Sequence, residues 1–161
     1  MAKVYLDTSV AIAVANPEDD FHNRSLRFVG KVRELGVAIV IGPPLLVELA
    51  KAVRRRGVES ALVVLEIIDE HQIELADIDS KHLLDLVDRY VAHRVTGRKY
   101  RLDLLHYASA TFLNCSHLVS WDREHFNERI AKRINKVNSL NGFVTLKVGD
   151  PEYIERSLGF G

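Results

Sequence analysis

Cysteine, methionine, tryptophan and glutamine each occur once in this 161-residue chain, and these scarcities narrow what it can be. A lone Cys115 cannot close an internal disulfide. Set in the apolar stretch Thr111-Phe112-Leu113-Asn114-Cys115, it reads as a small buried hydrophobe in a reducing, cytoplasmic setting. Scarce Met, Cys and Gln is also a composition met in thermophiles. No apolar run approaches the ~20 residues needed to cross a bilayer. The first residues read as a strand and not a signal peptide, so no membrane association is expected. Net charge is absent too: 22 Lys and Arg balance 22 Asp and Glu, which removes whole-molecule attraction to a polyanion. No repeat, low-complexity run or linker breaks the chain, and its length suits one core, so a single domain over residues 1–161 is expected. Dinucleotide binding has no support, since G-x-G-x-x-G is missing.

What is present is ordinary in amount, 47% hydrophobic and 27% charged, and informative in arrangement. Short β-branched apolar runs at Val4–Leu6, Val37–Ile41, Leu118–Trp121 and Phe143–Val148 read as strands. Amphipathic stretches at Phe21–Leu35, Pro44–Arg56, Glu59–Glu70, Ser80–Arg94, Asp103–Asn114 and Arg123–Lys136 read as helices. Near-continuous apolar strands alternating with helices predict an α/β fold, a parallel sheet with helices on both faces. Val95–Tyr100 is the most loop-like internal segment. Acids dominate Glu59–Tyr90, while bases gather at Arg54–Arg56, at Arg94, Arg98, Lys99 and Arg101, and at Arg129, Lys132, Arg133 and Lys136. Any one of these clusters reads as a solvated helix face; several around one acidic pocket would suit a phosphate backbone.

Four acidic residues stand in or beside the most apolar segments. Asp7 follows Val4-Tyr5-Leu6, Asp122 follows Leu118-Val119-Ser120-Trp121, Glu48 interrupts Leu45-Leu46-Val47, and Asp103 precedes Leu104-Leu105-His106-Tyr107-Ala108. Burying an unpaired carboxylate is expensive, so each needs a partner. Asp7 and Asp122 sit between a strand and a helix, where functional groups of open parallel sheets gather; helix capping accounts for either one alone. Glu48 lies just off the apolar face formed by Leu45, Leu46, Leu49, Ala50 and Val53, facing either a cleft or Lys51 one turn on. Asp103 is in the first turn of its helix, where negative charge is favoured. On the wheel, Leu104, Leu105, Ala108 and Phe112 face the core, and His106 and Tyr107 share the opposite face with Asp103. His106 reads there as a surface or packing residue. Two unit charges 4 Å apart repel by about 4 kcal/mol at an effective dielectric near 20, so clustered carboxylates call for a cation. Oxygen ligands without a Cys or His framework favour Mg²⁺ or Mn²⁺ over zinc.

These motifs resemble the PIN domain. They are Leu6-Asp7-Thr8-Ser9, Glu48 in Leu46-Val47-Glu48-Leu49-Ala50, Asp103 in Leu102-Asp103-Leu104-Leu105-His106-Tyr107-Ala108, and Ser120-Trp121-Asp122. The likeness is greatest to the VapC-type toxin ribonucleases of prokaryotes, and it runs over about residues 1–148, leaving 149–161 peripheral. It implies a parallel sheet of about five strands between helices and a Mg²⁺- or Mn²⁺-dependent endonuclease for single-stranded RNA, leaving 5′-phosphate and 3′-hydroxyl ends. By position, Asp7, Glu48, Asp103 and Asp122 match the acidic catalytic and metal-binding set, with Thr8, Ser9 and Ser120 as supporting hydroxyls. The resemblance also implies a homodimer and an inhibitory antitoxin. Arg98, Lys99 and Arg101 are candidate RNA contacts, and Trp121, Tyr107 and Tyr100 candidate base-stacking surfaces. A housekeeping RNA-processing nuclease and a catalytically silent binding module with the same fold are the alternatives. Haloacid-dehalogenase chemistry fits poorly, because Ser9 stands where a second Asp is needed.

Overall fold

Three consecutive residues, Val4, Tyr5 and Leu6, are wholly buried although their side chains alternate between faces, so the first strand is covered on both sides. The computed structural model describes residues 2–160, and every side chain among them except that of Arg98. Five strands, β1 (Lys3–Leu6), β2 (Ala38–Ile41), β3 (Glu74–Leu75), β4 (His117–Val119) and β5 (Lys147–Gly149), form one sheet in the order β3-β2-β1-β4-β5. All four pairings are parallel; Tyr5 lies level with Val40 on one side and Leu118 on the other.

Eight helices flank it: α1 (Thr8–Ala15), α2 (His22–Glu34), α3 (Pro44–Arg56), α4 (Val58–Glu70), α5 (Ser80–Ala92), α6 (Arg101–Phe112), α7 (Glu128–Leu140) and α8 (Pro151–Ser157). One face of the sheet, with Tyr5, Val40 and Leu118, packs on Leu86 and Tyr90 of α5, Leu104 of α6 and Ile134 of α7. The other face, with Val4, Leu6, Ile39 and Ile41, packs on Val10 of α1, Phe28 of α2, Leu45 of α3 and Ile154 of α8. The five-stranded parallel α/β architecture is thus the expected one.

Local departures have local causes. Helix α1 is the helix expected after Asp7, but its extent could not be read, because Thr8-Ser9-Val10-Ala11-Ile12-Ala13-Val14-Ala15 is apolar nearly all round and carries no helical period. Strand β3 is two exposed residues long and gives no apolar signal. Strand β4 starts at His117 and stops at Val119, so Ser120 and Trp121, expected in the strand, lie beyond its carboxyl end. The segment Phe143–Leu146 is not strand: Asn135 bonds the Leu146 amide and carbonyl and Asn138 takes the Val144 carbonyl, so this backbone is committed to α7. Helix α7 starts at Glu128, not Arg123, since Asn127 caps it by accepting from the Ile130 amide at 3.0 Å. Residues 149–161, expected to be peripheral, carry α8, which Asp150 caps and whose Ile154 is fully buried.

Helix α6 corrects the wheel. His106, Tyr107, Ala108, Ser109, Ala110 and Thr111 are all buried, because the helix is wedged between the sheet and its neighbours. His106 and Tyr107 are therefore interior residues. In α3 the buried face is Pro44, Leu45 and Leu49, while Leu46 and Ala50 point outward.

The chain runs outward from β1 through β2 to β3, then crosses back to place β4 on the other side of β1. The reversal opens a crevice beyond the carboxyl ends of β1 and β4. Asp7 and Ser120 are the residues that follow those two strands.

Candidate functional site

Asp7 is held from all sides. Its amide donates to the Val119 carbonyl at 3.1 Å, stitching β1 to β4 at their ends. Its Oδ1 accepts from the Ser9 hydroxyl at 2.6 Å and the Val10 amide at 3.3 Å, and its Oδ2 from the Ser120 hydroxyl at 2.7 Å. The residue is 5% exposed, and that burial raises its pKa, against the opposing pull of His106, Ser9, Ser120 and the Val10 amide. Ser120 serves two acids, since its oxygen also accepts the Asp122 amide at 3.0 Å. The two hydroxyls beside Asp7 divide their work: Ser9 holds the carboxylate, while Thr8 turns to His106 at 3.2 Å.

Asp122 opens a tight turn in which its Oδ1 accepts the Glu124 and His125 amides. Its Oδ2 takes the His125 Nδ1–H at 2.8 Å. The same nitrogen stands 3.8 Å from Asp103 Oδ2, so His125 bridges the two carboxylates. Its pKa is raised, chiefly by the hydrogen bond to Asp122 and further by the charges of Asp122 and Asp103. Half-buried Asp103 is itself pushed upward, first by desolvation and then by Asp122 and Asp7, with His125 and His106 opposing. Like charges from two strand ends and α6 thus converge on one place. Glu48, from α3, reaches the cluster through His106, whose Nε2 lies 3.4 Å away; Lys51 is not its partner.

Two residues outside the sequence-derived set belong here. His106 is 2% exposed and sits between Tyr5, Thr8 and Glu48. The small and apolar residues on every side of α6 were its signal, marking a helix buried all round. His125 had only its three-residue spacing from Asp122, a weak cue.

The candidate RNA contacts fare unevenly. Arg101 pairs with Asp88 at 3.1 Å, on the α5 side. The Lys99 ammonium lies 4.8 Å above the Tyr100 ring, which in turn lies 4.7 Å from the His125 ring, so Lys99 and Tyr100 border the cluster. The side chain of Arg98 is outside the described residues. Tyr107 is buried with its hydroxyl on the His125 carbonyl and offers no stacking surface. Trp121 is half-buried, with Phe21 stacked on it at 4.2 Å and Arg24 over its ring at 4.7 Å. Its amide donates to Ser9 at 3.1 Å, so it braces the site.

The donor set suits a hard divalent cation: carboxylate oxygens, those of Asp7 and Asp103 with pKa raised first by burial, where a cation would favour the charged form. As the side chains stand, His125 supplies that compensation, and among the described residues no three potential ligands are close enough together to share one ion.

An open parallel sheet with an acidic cluster at its switch point defines the class, an α/β protein with carboxylates gathered at its strand ends. The chain belongs to the PIN domain family, whose model matches residues 4–132. In fold it is similar to the crystal structure of VapC20 from Mycobacterium tuberculosis, a toxin that cleaves the sarcin-ricin loop. That likeness has a TM-score of 0.54 at 16% identity and covers 89% of this chain and 98% of the other. No curated protein matches the sequence.

Proposed function

We propose that the chain is a metal-dependent endoribonuclease acting on single-stranded RNA, with Asp7, Asp103, Asp122 and Glu48 as the ligands of Mg²⁺ or Mn²⁺. The observation that carries this reading is the buried Asp7 carboxylate, held by Ser9 and Ser120 at the β1–β4 switch point, with Asp103 and Asp122 close enough to perturb one another. A bound divalent ion supplies Lewis-acid activation of water and neutralisation of phosphate charge.

The chain's own residues set the stage. Ser9 and Ser120 fix the Asp7 carboxylate, one hydroxyl on each oxygen, beside the crevice. The Asp122 turn places a second carboxylate through the shared Ser120 oxygen. His125 keeps Asp103 and Asp122 from repelling each other. Lys99, at the border, is placed to meet a phosphate.

PIN membership and the VapC20 likeness favour a toxin of a toxin–antitoxin pair over a housekeeping nuclease, with an antitoxin as partner and a homodimer as the working form. The deciding experiment is cleavage of a defined single-stranded RNA by wild type and Asp7→Asn, with Mg²⁺, with Mn²⁺ and in EDTA. Cleavage that requires the metal and drops by at least ~10³-fold in Asp7→Asn is expected, because that substitution removes the most enclosed ligand. Equal activity of the two proteins would sink the proposal, and absence of cleavage by both would favour the silent binding module.

A further inference from the structure

Behind the acidic set lies a buried polar chain that metal ligation by itself does not explain. Tyr5, in the middle of β1, is fully buried, and its hydroxyl lies 2.8 Å from His106 Nδ1. The other ring nitrogen, Nε2, faces outward to Thr8 Oγ1 at 3.2 Å and Glu48 Oε1 at 3.4 Å. Space for this chain is reserved by Gly42, immediately after β2. A Cβ there would meet the Tyr5 hydroxyl at 2.9 Å and Ser109 Cβ at 2.8 Å. The Ser109 hydroxyl gives its proton to the Leu105 carbonyl at 2.7 Å.

We infer that His106 is a positioning residue for Glu48, with Tyr5 selecting the ring nitrogen that does the work. The argument is one of proton accounting. A tyrosine phenol keeps its single proton at neutral pH, and because the Glu48 carboxylate facing Nε2 can only accept, that proton goes to His106 Nδ1. Nδ1 then accepts, and the ring hydrogen resides on Nε2, where Thr8 and the Glu48 carboxylate accept it. Were Tyr5 to donate to Ser109 instead, Nε2 would be bare and would face Glu48 lone pair to lone pair. Glu48 has no backbone or hydroxyl anchor among the described contacts; His106 is its one polar partner, and it rides on a partly exposed helix face. His106 is what aims it. Groups that orient metal-binding carboxylates typically change affinity by tenfold or more when removed.

This inference rests on the metal-centre reading, and the test separates the two. In the metal-free protein, long-range ¹H–¹⁵N spectra assign the His106 tautomer; hydrogen on Nε2 is expected, and hydrogen on Nδ1 would overturn the proposal. Mn²⁺ affinity is then measured by electron paramagnetic resonance for His106→Asn, whose amide reaches only the Nδ1 position, and His106→Gln, whose amide nitrogen reaches the Nε2 position. His106→Asn and Glu48→Gln should each weaken binding about tenfold, their double variant no further, and His106→Gln should recover most of the loss. Multiplying losses, or wild-type affinity in His106→Asn, would refute the positioning role. Unchanged Mn²⁺ binding in Asp7→Asn would remove the metal reading itself. Should His106→Asn fail to fold, the wild-type spectra together with Tyr5→Phe still decide, since Tyr5→Phe removes only the phenol proton and should release the tautomer preference.

Discussion

At the scale of single residues, Asp7 is asked to cap a helix and to sit nearly out of water. Oδ1 receives the Val10 amide as an N-cap does, and the Ser9 and Ser120 hydroxyls complete its shell. Those bonds offset only part of the desolvation cost, since its pKa is still raised. The consequence for stability has a definite sign. An unfolded Asp titrates near 3.9, and the folded chain holds the proton more tightly. The stabilising contribution of protonated Asp7 is therefore fully present below the unfolded value and is lost as pH rises through the raised folded one. As pH rises above the unfolded value, the metal-free protein bears a growing share of the penalty. Asp7→Asn should raise the denaturant midpoint of the EDTA-treated protein at pH 7 and lessen the gain that wild type shows on acidification. Chemical unfolding of both proteins across that range measures it. The lone cysteine is simpler: burial pushes the Cys115 thiol up to about 12, in keeping with an inert packing residue.

Between elements, buried side chains do the joining. Asn138 of α7 accepts from the Tyr90 hydroxyl of α5 at 2.7 Å and donates to Thr111 of α6 at 3.0 Å, and to the Val144 carbonyl. Asn138→Leu removes the 2.7 Å acceptor of the Tyr90 hydroxyl, leaving it Thr111 at 3.3 Å, and the side-chain donor to the Val144 carbonyl, and should cost about 1–3 kcal/mol, read from urea unfolding. His117 joins β4 to α8 through Ser157 at 3.0 Å. Burial and the Lys147 charge lower its pKa. Because the folded value is depressed below about 6.5, this contribution to stability is present above that pH and is lost as pH falls through the folded value. His117→Gln should flatten that acid-side loss without touching the Asp7 crevice. A melting series between about pH 4 and 7.5 would expose a contrary result as an unchanged slope.

Over the whole molecule, zero net charge conceals a polarised arrangement. Acids collect at the β1–β4 strand ends and along α4, and bases lie at the end of α3 and on α7. A chain so balanced gains nothing from long-range attraction to RNA, and any contact with the phosphate backbone must come from local bases. Cleavage measured below saturation should therefore weaken between low and physiological salt, with a shallow slope of one or two phosphate contacts. Metal should act on the fold as well as on the substrate. At about 100 times its Kd, a ligand of the native state adds about 2.7 kcal/mol, which for a chain of this size is a rise of about 5–10 °C in melting temperature. Mg²⁺ or Mn²⁺ should produce that rise in wild type and little of it in Asp7→Asn or Asp103→Asn. Equal rises in all three would detach the cation from the acidic cluster.

The sequence by itself determined the sheet class and the identity of the candidate acids. Apolar runs of strand length and carboxylates at their ends are local patterns, written by nearest-neighbour chemistry. The resemblance to the PIN motifs also named Ser9 and Ser120, along with Thr8, as supporting hydroxyls. Tertiary structure alone decided the rest. Whether His106 faces water or the interior depends on what packs against α6, which no window along that helix contains. His125 bridges Asp103 and Asp122 only because α6 and the turn after β4 converge. Helix α1 has no period to read because it is apolar on nearly every side, and Phe143–Leu146 has strand composition but gives its backbone bonds to asparagines of α7. Local composition fixes what a segment can bury; long-range packing decides which polar groups are buried with it, and so which partners they must find.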